Sequence, residues 1–133
     1  MKYLNTKLKK IKTIFFSTLL LFLAFNSINA QSVDLFISEY SEGSSYNKYI
    51  EIYNGTGAPV DLGVYELWKI TNGGNWPEQV LPLSGILLDN DVYVISHNSA
   101  DPSILQEADL TTGAGAINFN GDDAIGLAIG GML

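Results

Sequence analysis

Lys48-Tyr49-Ile50-Glu51-Ile52-Tyr53 runs straight into Asn54-Gly55-Thr56-Gly57-Ala58-Pro59. The first six residues alternate. Ile50 and Ile52 fall on one face of an extended chain, and Tyr49, Glu51 and Tyr53 on the other, because side chains in a strand alternate with period two. The next six break the strand: glycine tolerates positive φ, and proline cannot donate to a ladder. A half-buried strand cut off by a turn is the unit from which an all-β sandwich is built.

Working outward, the same unit recurs. Upstream, Val33, Leu35 and Ile37 alternate with Asp34 and Ser38, which predicts a strand with one buried face, and Ser41 to Ser45 reads as a loop. Downstream, Val60 to Leu62 is a short apolar piece and Tyr65 to Thr71 a clear strand. Gln79 to Leu83 is a shorter strand, and Pro82 marks it as an edge. Ile86-Leu87-Leu88 leads into the Asp89-Asn90-Asp91 turn, and Val92 to Ser96 is rich in β-branched and aromatic residues. Asp101-Pro102-Ser103 opens the one helical candidate: Asp101 caps, Pro102 fits the first helical position, and the helix ends near Ala108. Ala116 to Phe119 and Ala124 to Ile129 read as the last strands. In the final one Ile125, Leu127 and Ile129 face one way, while Ala124, Gly126 and Ala128 leave a shallow face that something must cover. Gly130-Gly131 is a hairpin signal, so Met132-Leu133 is expected to begin a partner strand, and the chain reads as cut inside that hairpin.

The first thirty residues differ in kind. Lys2, Lys7, Lys9, Lys10 and Lys12 precede an apolar run from Ile14 to Phe25, and small Ala30 stands before Gln31. This is the pattern of a secretory signal peptide cut after Ala30, and the run is too short to span a bilayer comfortably. The chain is therefore read as a signal peptide, 1–30, and one domain, 31–133, exported to the extracellular medium or cell surface, with no membrane contact after cleavage.

Export changes the charge. Only Lys48 and Lys69 remain against fourteen acidic residues, a net charge of −12 at neutral pH. Such a surface repels phosphate backbones, so no nucleic-acid partner is expected for this module; divalent cations or basic protein partners are the better match. Without cysteine there is no disulfide, thiolate metal site or cysteine nucleophile.

No constellation points to catalysis. His97 is the only histidine and reads as a loop residue past a strand end. Glu39 and Glu51, beside tyrosines, could form an acid–base pair; hydrogen-bonded strand carboxylates are the expectation. Asn120-Gly121-Asp122-Asp123 and Asp89-Asn90-Asp91 are oxygen-rich. They read as turns in which Asp and Asn cap their own backbone, with Asp122, Asp123, Asp89 and Asp91 as candidate calcium ligands. Tyr46, Tyr49, Tyr53, Tyr65 and Trp68 read as core or as a carbohydrate-type binding face, and Trp76 as a loop aromatic. Asn54-Gly55-Thr56 fits a glycosylation sequon.

Four segments resemble the lamin-tail domain of secreted proteins from Bacteroidetes-type bacteria. They are Phe36-Ile37-Ser38-Glu39-Tyr40, Lys48 to Asn54, Asp91-Val92-Tyr93-Val94-Ile95 and Phe119-Asn120-Gly121-Asp122-Asp123-Ala124-Ile125. The resemblance covers roughly residues 33 to 133. It implies an immunoglobulin-like β-sandwich acting as an accessory module, often beside extracellular nuclease or phosphodiesterase domains or ahead of a sorting domain. It also implies a further strand after Gly130-Gly131. Two functions follow as expectations: an exported non-catalytic module for binding or spacing, with no cofactor, or the N-terminal part of a secreted nuclease or phosphodiesterase with its catalytic domain beyond Leu133. The open last strand also predicts self-association through its edge.

Overall fold

The computed structural model describes residues 31–133; the expected signal peptide lies outside the described residues. Nine strands are present among them: β1 Phe36–Glu42, β2 Lys48–Tyr53, β3 Val60–Asp61, β4 Tyr65–Ile70, β5 Gln79–Pro82, β6 Ile86–Leu87, β7 Val92–His97, β8 Leu110–Thr112 and β9 Ala124–Ile129. One α-helix, α1 Pro102–Glu107, joins β7 to β8. The strands form a four-stranded sheet in the order β1-β2-β7-β8, a three-stranded sheet β5-β4-β9, and the ribbon β3-β6. All pairs are antiparallel except β7 with β8. The fold is an all-β immunoglobulin-like sandwich, as the resemblance implied.

The core follows from the alternation. Ile50 and Ile52 of β2 and Ile95 of β7 supply one wall, Tyr65 and Leu67 of β4 the other, and Leu62, Leu83, Leu87, Ile117 and Phe119 fill between them. At about 1.5–3 kcal/mol for each fully buried large apolar side chain, these residues supply the main driving force. The expected face assignment of β2 holds, with Tyr49, Glu51 and Tyr53 on the opposite side.

Three expectations need correction. Val33 is fully exposed and β1 starts only at Phe36. The residues before it are held instead by Asp34, whose carboxylate accepts the Leu35 N–H and the Tyr65 hydroxyl, and Leu35 reaches the core from outside the strand. Second, Ala116 to Phe119 is not a strand. Gly115–Ile117 forms a 3₁₀ turn, with Ile117 N–H bonded to Ala114 C=O and Asn118 N–H to Gly115 C=O. Its backbone is satisfied locally, so the apolar side chains of Ala116, Ile117 and Phe119 drop into the core without a ladder. Third, Leu110–Thr112 is a strand, and it pairs in parallel with Ile95–His97.

The remaining signals appear where expected. Pro82 lies on edge strand β5. Asp101 caps α1 by accepting the Ser103 N–H at 3.0 Å, with Pro102 in its first turn. Gly130 and Gly131 take φ of 57° and 78°, the left-handed pair that a two-residue hairpin demands. Ile129 and Met132 exchange both backbone hydrogen bonds, at 2.8 and 3.0 Å. The shallow face of β9 is covered by Trp76 and Leu133: a Cβ on Gly126 would collide with Leu133 and lie 3.4 Å from the Trp76 ring. On its other side β9 pairs with β4, from Tyr65 opposite Ile129 to Ile70 opposite Ala124.

Two tyrosines carry a pH signature. Burial, reinforced by its bond to Asp34, pushes the Tyr65 hydroxyl up to about 12. Burial, reinforced by the charge of Glu42, does the same for Tyr40, also to about 12. Folding therefore favours their neutral form. That contribution is complete below the ordinary tyrosine value of about 10 and is lost as pH rises toward the folded value. Ultraviolet titration should show Tyr40 and Tyr65 ionising well above the ordinary tyrosine value, with stability falling between about pH 10 and 12. Uniform ionisation near 10 would contradict this arrangement.

Candidate functional site on the outer face of the four-stranded sheet

Alternation that sends Ile50, Ile52 and Ile95 inward sends Tyr49, Glu51, Val92 and Val94 outward. Register then aligns them: Glu39 lies opposite Glu51, Glu51 opposite Val94, and Tyr53 opposite Val92. An irregularity between Ile37 and Glu39 re-aims β1, so that Ser38 and Glu39 both meet β2 side chains on this face. Helix α1 stands beside the sheet, and a cavity of ≈ 530 Å³ opens between them. Its apolar wall is Val92, Val94, Ile104 and the Tyr49 ring, and five carboxylates surround it: Glu39, Glu51, Asp91, Glu107 and Asp109.

Four of these carboxylates are held in place, Asp91 by the Val92 N–H at 2.9 Å. Glu39 accepts the Tyr49 hydroxyl at 2.8 Å, Glu51 accepts the Ser38 hydroxyl at 2.7 Å, and Asp109 accepts the Val94 N–H at 2.8 Å. The Tyr49 phenol is raised above its ordinary value, first by that bond to Glu39 and then by burial and charge, so it stays a neutral donor. Like charges directly opposite on a sheet repel, and Glu39 faces Glu51 without a cation between them. Both lysines of the described residues are engaged elsewhere. The Lys69 ammonium bonds Asp123 at 3.2 Å and the Asn118 carbonyl at 3.0 Å. The Lys48 ammonium lies 3.8 Å from Glu42 and 5.5 Å from the Phe119 ring centroid.

The residues singled out from sequence fall into different roles. Glu39 and Glu51 come together as hydrogen-bonded strand carboxylates, and they border a cavity that the sequence reading missed. Asp91 also borders it, while its Oδ1 accepts the Val92 N–H. Asp89 accepts the Gly57 N–H at 2.7 Å and the Asn90 amide. The Asp123 side chain is shielded from solvent, although the residue as a whole is only partly buried. Burial alone would push its carboxyl up, but the Asn120 N–H, the Lys69 ammonium and the Asn72 N–H outweigh burial and hold it below the usual carboxylate range. Asp122 is within reach of the Asn72 amide. These are turn-fastening contacts, and no group of three or more His, Asp or Glu among the described residues is placed to hold one metal ion.

His97 is the last residue of β7, buried rather than in a loop. Its ring stacks on Tyr46 at 4.3 Å and its Nδ1 accepts the Ser99 N–H. Tyr65 and Trp68 are buried, whereas Tyr46 and Trp76 are more exposed. Asn54, the sequon residue, is fully buried, and its amide nitrogen donates to the carbonyls of Ala58, Leu87 and Leu88.

Neither a curated protein nor a solved structure matches the chain significantly. A family model does: the Lamin Tail Domain matches residues 29–131. That match spans the whole sandwich, and with the strand order above it shows that the chain belongs to the lamin-tail domain family.

Proposed function

We propose that this chain is an exported, non-catalytic module that binds or spaces within a secreted or cell-surface protein. The observation that carries the reading is the family match over 29–131 to an immunoglobulin-like β domain. The acidic cavity gives such a module a place to bind. The module works without a cofactor, and its charge turns it away from nucleic acid. Its partner is a protein or a cell-surface component. The edge of β9 beyond the Ile129–Met132 bridge is where a second copy pairs.

Two measurements test the reading. Mass spectrometry of exported material should show a chain that begins at Gln31, and incubation with phosphodiester substrates and divalent metals should give no turnover. Recovery of only intact Met1 chains would refute export. Metal-dependent turnover that vanishes in an Asp122→Asn variant of unchanged thermal midpoint would refute the non-catalytic assignment.

A further inference from the structure

An asparagine followed by glycine is a reactive pair, because no Cβ shields the glycine nitrogen from the asparagine side chain. The chain contains three such pairs, Asn54-Gly55, Asn72-Gly73 and Asn120-Gly121, and the fold treats them differently. Asn54 is fully buried, with its amide nitrogen on three carbonyls and its Oδ1 accepting the Thr56 N–H and hydroxyl. Gly55 is packed against the Tyr53 ring, so that a Cβ there would lie 2.8 Å from it. Asn72 is exposed, but its φ of 50° and the bond from Gly74 N–H to Thr71 C=O at 3.0 Å put it in the left-handed basin of a tight turn. In that basin ψ is about +47°, which swings the following nitrogen away from Cβ. With its nitrogen turned to Asp122, the Asn72 amide also donates to both carboxylate oxygens, at 2.7 and 2.8 Å. Asn120 has neither restraint. It is exposed, lies outside the left-handed region, and its side chain makes no hydrogen bond among the described residues. Only its backbone is held: its N–H donates to Asp123 Oδ2 at 3.0 Å, and its carbonyl accepts the Asp123 N–H at 2.7 Å.

We propose that Asn120-Gly121 is a site of spontaneous deamidation, and that conversion there loosens the turn holding the Lys69–Asp123 pair. The Gly121 amide nitrogen passes its proton to water and attacks Asn120 Cγ. A nitrogen–carbon bond forms, the Cγ–Nδ2 bond breaks, and the amide takes up a proton and leaves as ammonia, so that a succinimide ring remains. Water then opens the ring. Attack at Cγ gives aspartate. Attack at the main-chain carbonyl gives isoaspartate, in which the chain runs through Cγ and the former main-chain carbonyl is a free carboxylate. Isoaspartate therefore adds a methylene to a turn closed by a single 2.7 Å bond, and takes the acceptor of that bond off the main chain. Either product adds negative charge beside Asp122, Asp123 and Glu42, whose Oε2 lies 3.8 Å from where a Gly121 Cβ would stand. Lys69 bonds Asp123 at 3.2 Å, so the change reaches the ion pair directly.

The test incubates the full chain in mildly alkaline buffer, folded and in urea, and follows Asn54, Asn72 and Asn120 by fragmentation mass spectrometry that separates isoaspartate from aspartate. In the folded chain Asn120 should convert at least about tenfold faster than either of the others, a barrier difference of about 1.4 kcal/mol. In urea the three should convert at similar rates, because only the shared Asn-Gly chemistry is then left. Gly121→Ala should slow conversion of Asn120 about tenfold by crowding the attacking nitrogen. Gly121 does not use the left-handed region, and a Cβ there meets only Glu42 Oε2, at an ordinary contact distance. The fresh Gly121→Ala chain should therefore melt with the parent. The isoaspartate fraction, separated on anion exchange by its added charge, should melt below both the fresh chain and an Asn120→Asp variant, which carries the charge without the extra methylene. The proposal is overturned if Asn120 converts no faster than Asn54 and Asn72 in the folded chain, or if urea preserves the folded order of rates. It is equally overturned if Gly121→Ala converts as fast as the parent, or if the isoaspartate fraction melts with the fresh chain.

Discussion

Replacing Lys69 by Met should lower stability by about 3–5 kcal/mol, the cost of leaving one half of a buried ion pair without its partner. The side chains of Lys69 and Asp123 are almost wholly shielded from solvent, so water cannot replace the lost ammonium. The Asp123 carboxylate would retain the Asn120 and Asn72 N–H groups, but the Asn118 carbonyl would lose its donor. Small domains hold only about 5–15 kcal/mol in total, so the variant should melt at a markedly lower temperature. Asp123→Asn alone should also destabilise strongly, by leaving the ammonium without a counter-charge. The double variant should recover part of the loss, because the two effects are not additive. The same pair sets an acid limit. The folded carboxyl is held below its ordinary value, so its contribution is complete above the unfolded value of about 4 and disappears as pH falls through the folded one. Denaturant melts at several pH values should show Asp123→Asn losing part of the parent's acid sensitivity. A Lys69→Met chain as stable as the parent would show that the pair is not internal.

The second large effect is expected at Asn54. Its amide nitrogen donates to three carbonyls, and its Oδ1 accepts the Thr56 N–H and hydroxyl. Its own backbone bonds Asp91 and Asn90. One side chain thus ties the end of β2 to the segment after β6. Asn54→Ala removes those side-chain bonds, including the buried one to the Leu87 carbonyl. With about 0.5–1.5 kcal/mol for each lost hydrogen bond, a loss of about 3 kcal/mol is expected in chemical denaturation. Asn54→Asp separates shape from hydrogen bonding: it keeps the acceptor to Thr56 but turns an oxygen toward the three carbonyls, and should be at least as damaging. An Asp variant as stable as the parent would mean that the donors do not matter.

These two sites show where the sequence was legible and where it was not. The strands at Lys48–Tyr53, Tyr65–Ile70 and Val92–His97 were readable because alternation and β-branched residues are local signals. The helix was readable because Asp101 and Pro102 act on the next few residues. Asn54 looked like a turn residue or a sequon, since its carbonyl partners at Leu87 and Leu88 are more than thirty positions away. Asp123 looked like a turn-capping residue or a calcium candidate for the same reason: the lysine that neutralises it lies 54 positions earlier. Leu110–Thr112 was missed because a three-residue parallel strand has no period to display. Ala116–Phe119 was misread because an apolar run satisfied by a 3₁₀ turn looks the same on paper as a short strand. The cavity was invisible because its carboxylates come from β1, β2, the turn before β7, α1 and the residue before β8.

The burial of both lysines also affects how the folded domain meets proteases. Residues 31–133 contain no arginine, and Lys48 and Lys69 are the only positions at which a trypsin-like enzyme could cut. Each is 7% exposed and lies within a strand, where the backbone cannot enter a protease cleft without leaving its sheet. Cleavage therefore has to wait for the sandwich to open, and its rate follows the population of the opened form. Trypsin-like digestion thus becomes a gauge of folding: the intact domain is passed over, and the opened one is cut at the strands that held it together.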